Sequence, residues 1–340
     1  MVTIKDIAAA AGVSATTVSL VINGKSEERR IAPETRDLIL NLMNEMGYKP
    51  NISARRLRSE GSKKATIAFY WPSDYRANIL SSFIAGFQKA AVDLKFDCEL
   101  IIQTYRSGHL EEVAEPIRTN GYHGVIIGAT STEDDLYIDS LNLLMPVVVL
   151  NRKLTNRSTV NINNERMAQI AVDLFLKKGY KEAAIFTSSS PYQATGIRAQ
   201  AFLAGCAEAG IEVQAKHIYR GDNSITGGVE MAQSYAVSAD RPKAVFCDSD
   251  FIAMGAVHTF RQFGLRFPDD LEMLAIGFLD SELLEYSYPS VSTIYMSNED
   301  VIYKALQIII KKISSPKLPP MHDAVQPKLM LRDSFRMDIL

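Results

Sequence analysis

From Ala65 onward the sequence alternates short apolar, strand-like runs with amphipathic helical stretches, and this alternation constrains the fold more than any other feature. The runs TIAFYW, GVIIGA and PVVVLN form a first block, and EAAIFTS, KAVFCDS and LEMLAIGF form a second block of similar length. Such alternation predicts right-handed βαβ units with parallel strands. We therefore expect residues 65–340 to form an α/β core of two lobes, each a doubly wound parallel sheet.

The boundaries of the two lobes depend on the late elements of the chain. The runs VSTIYM and AVQPKLMLR are typical of strands, and an amphipathic helix is expected between them at 298–313. We expect these late elements to cross back between the lobes. The first lobe is assigned residues 65–160 and 292–320, and the second lobe 161–288 and 323–340.

Residues 1–48 have a different pattern, with three short helices that share one apolar face. Thr3 can cap the first helix, and Gly12 can end it in a left-handed conformation. Ser14 can cap a second helix that ends near Asn23, and Pro33 can begin a third. Two short helices around a tight turn with glycine are typical of a helix-turn-helix, whose second helix enters the DNA major groove.

The distribution of charge fits a head that binds DNA. Residues 1–64 contain 11 Lys and Arg against 7 Asp and Glu, a balance of +4, whereas the remainder contains 26 against 32, a balance of −6. A basic segment on an acidic body indicates that the segment meets phosphate. The net charge of −2 argues against a protein that binds polyanions over its whole surface.

The second helix of the head offers candidate DNA contacts. Ala15, Thr16 and Leu20 point away from the apolar face, so they are candidates for base edges. Ala15 and Leu20 could contact thymine methyl groups, whereas the hydroxyl of Thr16 could donate or accept a hydrogen bond. The remaining candidates, which suit phosphate oxygens or lie at the helix start, are Thr3, Thr17, Ser19 and Asn23.

The run TIKDIAAAAGVSATTVSLVIN, followed by YKPNISARRL, resembles the head of the LacI/GalR family of bacterial transcription regulators. The resemblance implies that residues 49–64 form a hinge helix and linker, which orders on operator DNA beside its copy from a second subunit. Leu57 matches the family's intercalating leucine, a minor-groove wedge that kinks the central base step. The alternative is a leucine packed on its own domain. Ala54 matches a small residue beside the wedge, and Arg55 can reach phosphate.

The resemblance covers essentially the whole chain and implies a periplasmic-binding-protein-like core, with a ligand cleft at the carboxyl ends of the strands. Arg198, in the segment QATGIRAQAF, is the strongest candidate, because a guanidinium can clamp hydroxyls or a carboxylate at two points. For Asp250 a role as helix cap is an equal alternative. The candidate ligand contacts are Trp71, Ser73, Tyr75, Asn151, Arg152, Thr195, Arg198, Asn223, Ser249, Asp250, Leu279 and Met296.

Several cleft positions depart from the family pattern. Leu279 stands where a ligand-binding acid is usual, Asn223 replaces an aromatic residue that commonly stacks on the ligand, and Met296 replaces a frequent glutamine. A sugar needs acceptors for its hydroxyls and an apolar surface for its ring, and both are reduced here. An unusual sugar or sugar derivative, a less hydroxylated molecule and an anion are all open as effectors.

The remaining features favour a cytoplasmic regulator without cofactor or metal. The three cysteines form no CxxC pair, the five histidines lack metal-ligand spacing, and no apolar run approaches the ~20 residues of a membrane span. No phosphate-binding Gly-Lys-Ser loop or nucleophile elbow is present, so we expect no enzyme. The hypothesis is a homodimeric repressor that binds a palindromic operator under the control of a small-molecule effector. The alternatives are a transport receptor and a sugar-metabolising enzyme.

Overall fold

The computed structural model describes residues 3–22, 26, 29, 31–46, 64–74, 77–189, 193–278 and 281–337. The predicted hinge lies outside these ranges except for its last residue. The individual candidates that lie outside them are Asn23, Ala54, Arg55, Leu57, Tyr75 and Leu279.

The head consists of three helices, α1 (Ile4–Ala11), α2 (Ala15–Ile22) and α3 (Pro33–Glu45). Thr3 caps α1 through a reciprocal pair of hydrogen bonds with Asp6, and Gly12 ends α1 with a φ of 65°. The direction of the chain turns by 108° between α1 and α2, which lies within the range of helix-turn-helix motifs. A small core holds the three helices together and includes the fully buried Ile7, Val18 and Ile39.

The first lobe is a parallel sheet of six strands in the order β11-β5-β4-β3-β1-β2. Its helices pack on both faces of the sheet, around a core that includes Phe69 and Val148. The strands are β1 (Ala65–Pro72), β2 (Cys98–Tyr105), β3 (Gly124–Ile127), β4 (Val147–Leu150), β5 (Ser158–Ile162) and β11 (His322–Val325), and the helices are α4 (Ala77–Asp93), α5 (Leu110–Val113), α6 (Glu115–Arg118), α7 (Thr132–Ser140) and α13 (Asn298–Ser314).

The second lobe repeats this plan, with six strands in the order β12-β10-β9-β8-β6-β7 and only β12 antiparallel to its neighbour. The strands are β6 (Ala183–Ser188), β7 (Ile218–Gly221), β8 (Ala244–Cys247), β9 (Glu272–Gly277), β10 (Ser292–Tyr295) and β12 (Lys328–Met330), and the helices are α8 (Asn164–Lys177), α9 (Gln193–Glu208), α10 (Ile225–Ala236), α11 (Asp250–Gln262) and α12 (Ser281–Glu285), with a 3-10 turn at Ala215–His217.

The predicted assignment of the late strands to the lobes is wrong for β10 and β11. Strand β10 was expected in the first lobe but pairs in parallel with β9 of the second, and β11 pairs with β5 of the first lobe. The run AVQPKLMLR therefore contributes to two strands, one in each sheet. An apolar run predicts that a strand forms, but the free edge at which it pairs is decided by the folded sheets. Helix α13 packs on α4 of the first lobe, as expected.

Helices α10 and α11 of the second lobe cross with almost no space between their backbones. A Cβ atom added at Gly255 of α11 would lie 2.1 Å from the carbonyl oxygen of Ile225, and one at Gly228 would lie 2.3 Å from that of Ile252. Only glycine permits this approach.

Over the part of the chain that the structure describes, no single helix has the length and apolar character to cross a membrane. The bent pair α1 and α2 meets that test only when both helices are taken together.

Candidate functional site

The predicted recognition helix presents its amino-terminal end to solvent. Ala15 and Thr16 are exposed, and Leu20 is partly buried on the flank of α2. Ser14 caps the helix, since its Oγ accepts a hydrogen bond from the backbone nitrogen of Thr17 at 3.0 Å. The hydroxyl of Thr17 lies 2.9 Å from the same Oγ. A bond from this hydroxyl to a DNA phosphate would therefore compete with its bond to Ser14. The first turn of α2 is thus rigid and accessible, as direct contact with bases requires.

The carboxyl ends of strands from both sheets meet at the boundary between the lobes, which is the predicted ligand cleft. Asn151, which follows β4 of the first lobe, accepts a hydrogen bond from Asn164 Nδ2 at 3.1 Å, and Asn164 Oδ1 accepts one from Arg198 of the second lobe at 2.9 Å. Asn151 has a left-handed φ of 56°, a conformation that asparagine tolerates better than most residues. Ala129, which follows β3, is also left-handed at 53°, a strained conformation of the kind that often occurs at binding sites.

Arg198 is almost completely buried on α9, with 2% of its surface exposed. Its Nη1 donates to Asn164, its Nη2 donates to the carbonyl oxygen of Asp248 at 3.0 Å, and its guanidinium lies 5.2 Å from the ring centre of Phe278. Thr195, one turn earlier, is buried as well. The strongest predicted ligand contact therefore lies at the centre of the cleft and already binds groups of the protein itself.

The predicted first-lobe contacts at the ends of β1 and β4 are held within their own lobe. Trp71 packs against Phe69 and Phe83 at ring-centre distances of 5.7 Å and 5.3 Å. Ser73 donates its hydroxyl to the carbonyl oxygen of Tyr105 at 3.1 Å. These contacts hold the two side chains at the carboxyl end of β1, and their contact with a ligand stays a prediction.

Arg152 is buried and binds three groups of the first lobe. Its Nε lies 3.3 Å from a carboxylate oxygen of Asp135, and it donates to the carbonyl oxygens of Asn151 and Thr130. Burial raises the pKa of Asp135, while the bond from Thr130 and the charge of Arg152 oppose that rise. Arg152 thus fastens the end of β4 to α7, and its contact with a ligand stays a prediction.

Asp250 lies at the start of α11 and bonds to two backbone nitrogens, while its contact with a ligand stays a prediction. It is the first residue of α11, where Oδ1 accepts from the backbone nitrogen of Phe251 at 3.0 Å. Its Oδ2 accepts from the backbone nitrogen of Phe278 at 2.9 Å, which ties the end of β9 to the helix start. Ser249 occupies the capping position, but its hydroxyl donates to Asn223 Oδ1 at 2.6 Å instead of capping the helix.

Met296 is completely buried in the hydrophobic core, and its backbone nitrogen donates to the carbonyl oxygen of Gly277 at 2.9 Å. Its side chain therefore packs behind the cleft surface, where the family pattern often has a polar glutamine. A ligand would meet this side chain only after a rearrangement of its neighbours.

Three polar residues of the cleft escaped the sequence analysis. Asn164 joins the two lobes at Arg198, and Asp248 accepts bonds from Thr187 Oγ1 at 2.5 Å and Ser188 N at 3.3 Å. Asn298 donates from Nδ2 to Ser82 Oγ of the first lobe and to the carbonyl oxygen of Phe278 of the second, both at 2.8 Å. Asn164 and Asn298 both begin helices that follow a crossover between the lobes. This position was the only feature that could have identified them in advance.

Two family models match this chain. The model of bacterial regulatory proteins, lacI family, matches residues 3–51, and the model of a periplasmic binding protein-like domain matches residues 172–335. The chain is 29% identical over 339 residues to the probable HTH-type transcriptional repressor ExuR of Bacillus subtilis, and the match covers 99% of both chains.

Solved structures of similar proteins cover the core and the whole chain. A LacI family transcription regulator from Clostridium acetobutylicum is 32% identical with a TM-score of 0.76, and the match covers 79% of this chain and 100% of that chain. The lac repressor dimer bound to operator and the anti-inducer ONPF is 19% identical with a TM-score of 0.71, and the match covers 98% of both chains. The second likeness shows the fold alone.

Proposed function

This chain belongs to the LacI family of bacterial regulatory proteins and is a DNA-binding transcriptional regulator, and on that premise we propose a cytoplasmic repressor that binds a near-palindromic operator as a dimer. The observation that carries the proposal is the geometry of the head, in which α2 follows a capped, glycine-ended α1 at 108°. A dimer places two such helices on adjacent half-sites of a symmetric operator.

The hinge completes the proposed contact with DNA. In this proposal Leu57 enters the minor groove at the centre of the operator, Ala54 permits its close approach, and Arg55 neutralises a phosphate. A helix of about two turns is marginal in water by itself, so it orders when it meets its copy and the DNA.

A small molecule in the cleft controls the affinity for the operator. Asn164 bonds to Arg198 and to Asn151 of the first lobe, and Asn298 bonds to groups of both lobes. A ligand that binds Arg198 would therefore alter the contacts between the lobes. A change in their angle would alter the distance between the paired hinges. A coupling free energy of about 1–3 kcal/mol is typical of such linkage.

An enzyme and a transport receptor are the alternative functions. The relatives named above are repressors and regulators, which supports a protein without catalytic activity. Turnover of a sugar or nucleobase by the purified chain would contradict this part of the proposal.

The operator preference provides the direct test of base contact by α2. Leu20→Arg replaces an apolar side chain on the flank of α2 with one that favours guanine. We expect selection from a random DNA library to yield symmetric sites for the unaltered chain and for Leu20→Arg. The two selected sites should differ in the preferred base pair at one position of each half-site. The preference at that pair should change by about 1–3 kcal/mol, the usual range for a bidentate base contact.

Leu40→Arg is the control for added charge, since Leu40 is exposed on α3 at 41%. It should strengthen binding to all sequences alike and leave the selected site unchanged. An identical selected site for Leu20→Arg would show that Leu20 does not face the bases.

The proposed dimer interface lies at the edge of the first lobe. Strand β2 is the last strand of that sheet, and it borders α4 along a groove of about 610 Å³ lined by Phe87, Ala91 and Leu100. Val92, at 76% exposure, and Ile101, at 38%, project beside it. An open sheet edge with exposed apolar side chains favours pairing with another chain.

Val92→Glu should weaken the dimer, because twofold symmetry places the new carboxylate in the apolar interface twice. We expect the dissociation constant to rise about a hundredfold, as for an interface residue that contributes about 1.4 kcal/mol on each side. Sedimentation measured over a range of protein concentrations would show the change, and operator affinity should fall with it.

Leu136→Glu is the matched control, since Leu136 is 68% exposed on α7 of the same lobe. It should remain dimeric. If Val92→Glu did not change the sedimentation, the dimer interface would have to lie elsewhere on the chain.

A further inference from the structure

One hydrogen-bond donor in the second-lobe wall of the cleft has no partner among the residues that the structure describes. Asn223 lies shortly after β7 in the sequence. It is next to the side chain of Ser249, the residue that directly precedes α11. Its amide nitrogen Nδ2 is buried and forms no hydrogen bond there. Such a donor destabilises the free protein, because it has lost water and gained nothing in exchange.

The contact with Ser249 sets the orientation of the amide. Ser249 Oγ and the amide atom assigned as Oδ1 lie 2.6 Å apart, a distance typical of an O–H donor and short for an N–H donor. The amide oxygen therefore faces Ser249 as the acceptor. The NH2 group faces away from Ser249, and a ligand would bind it after the neighbouring groups that cover it move aside.

The neighbouring carboxylate is already engaged. Both oxygens of Asp250 accept backbone hydrogen bonds, from Phe251 at 3.0 Å and Phe278 at 2.9 Å. Leu279 also stands in the place of the acid that the family pattern would supply. A ligand hydroxyl placed at Asn223 could accept a bond from Nδ2, but its own proton would compete for the lone pairs of Asp250 with these two bonds and with the hydroxyl of Ser249, which lies 3.4 Å from Oδ1.

We propose that Asn223 selects effectors that present an oxo oxygen, from a carbonyl or a carboxylate, over otherwise similar molecules with only a hydroxyl or amino group at that point. An oxo oxygen accepts from Nδ2 and brings no proton of its own that needs a partner. The selectivity follows from the rule that a site built around one unsatisfied polar group rejects the analogue that cannot satisfy it. This inference rests on the proposed function, since it concerns the effector of the same cleft.

The test uses matched compounds on the full chain. The pairs are glucose with glucuronate, glucose with N-acetylglucosamine, and adenine with hypoxanthine. Titration calorimetry should show at least one oxo member binding about tenfold more tightly than its partner, the effect of one satisfied hydrogen bond. Tighter binding of glucuronate would identify a carboxylate, and tighter binding of N-acetylglucosamine or hypoxanthine a neutral carbonyl. Equal binding within every pair, or no binding of any of the five compounds, would overturn the proposal.

Variants at Asn223 connect that preference to the side chain. Asn223→Leu keeps the size but removes the donor, so the oxo member should bind about tenfold more weakly while its partner loses less. Asn223→Asp replaces the donor with a carboxylate and should reverse the preference. Asn156→Leu, at an exposed asparagine that bonds to Asp139 outside the cleft, should change neither affinity. An equal loss for both members would indicate damage to the cleft and would contradict selection by Asn223.

Operator binding by the same proteins separates this inference from the proposed function. Symmetric-site binding with no oxo preference would refute the role of Asn223 alone. An oxo preference in a chain that binds random and symmetric DNA equally would refute the proposed repressor while the subsite stands.

Discussion

Gly255→Ala should destabilise the second lobe by about 3 kcal/mol, at the upper end of the cost of overpacking. The added methyl group would lie 2.1 Å from the carbonyl oxygen of Ile225 and 2.7 Å from the backbone nitrogen of Val229. Both atoms belong to the backbone of α10, so no side chain can rotate to make room. The two helices must separate, which opens the core beneath them.

Thermal unfolding would measure the effect, and we expect the transition of the second lobe to fall by about 10 °C, given the usual change of a few degrees per kcal/mol. Gly196→Ala is the matched control, because Gly196 is helical and exposed and its added Cβ would meet nothing within 4 Å. It should stabilise the chain by about 0.4–1 kcal/mol through the lower entropy of the unfolded state. Equal melting temperatures for the two variants would mean that α10 and α11 do not cross so closely.

Arg198→Ala should abolish the response to effector while operator binding without effector persists. In the proposed site the guanidinium exchanges its bonds within the protein for two bonds to the effector, and each hydrogen bond from a charged group is worth about 1.5–3 kcal/mol. Losing both should weaken the effector by about a hundredfold or more. A thermal-shift screen of sugars, nucleobases and small acids would first identify a compound that stabilises the unaltered chain. The operator affinity of both proteins would then be measured with and without that compound.

Arg157→Ala provides the control for removing an arginine that is bonded to backbone carbonyls, although Arg157 is only partly buried. Arg157 precedes β5 and donates to the carbonyl oxygens of Ile138 and Leu141, at the edge of the sheet opposite the cleft. This variant should lose stability and keep the response to effector. If Arg198→Ala responded normally, the ligand would have to bind away from α9.

The head and the alternation of strands and helices were predictable because they depend on local chemistry. Thr3, Gly12 and Ser14 mark helix ends through bonds that span only a few residues, and apolar runs bounded by polar turns mark buried strands. The assignment of β10 and β11 was not predictable in the same way. Their pairing depends on which sheet edge remains open after all other strands have formed.

The cleft was predictable as a location and less so as a set of contacts. The family resemblance implied a ligand site at the carboxyl ends of the strands, and it supplied Asn151, Arg198 and Asp250 as candidates there. The partners of those residues come from distant parts of the chain. Asn164 and Asn298 have no periodicity or spacing that would reveal a bond to the opposite lobe, and the burial of Met296 followed only from the packing of the core.

The interleaving of the two sheets affects how this chain can fold during its synthesis. The first lobe needs β11 at residues 322–325 and the second needs β12 at 328–330, so neither sheet is complete until these residues have left the ribosome. Until then each nascent lobe exposes an unfilled sheet edge, and such edges favour aggregation. The head, by contrast, has its own small core and emerges first. We therefore expect a translation product that stops before residue 322 to retain a folded head and to depend on chaperones for the rest of its length.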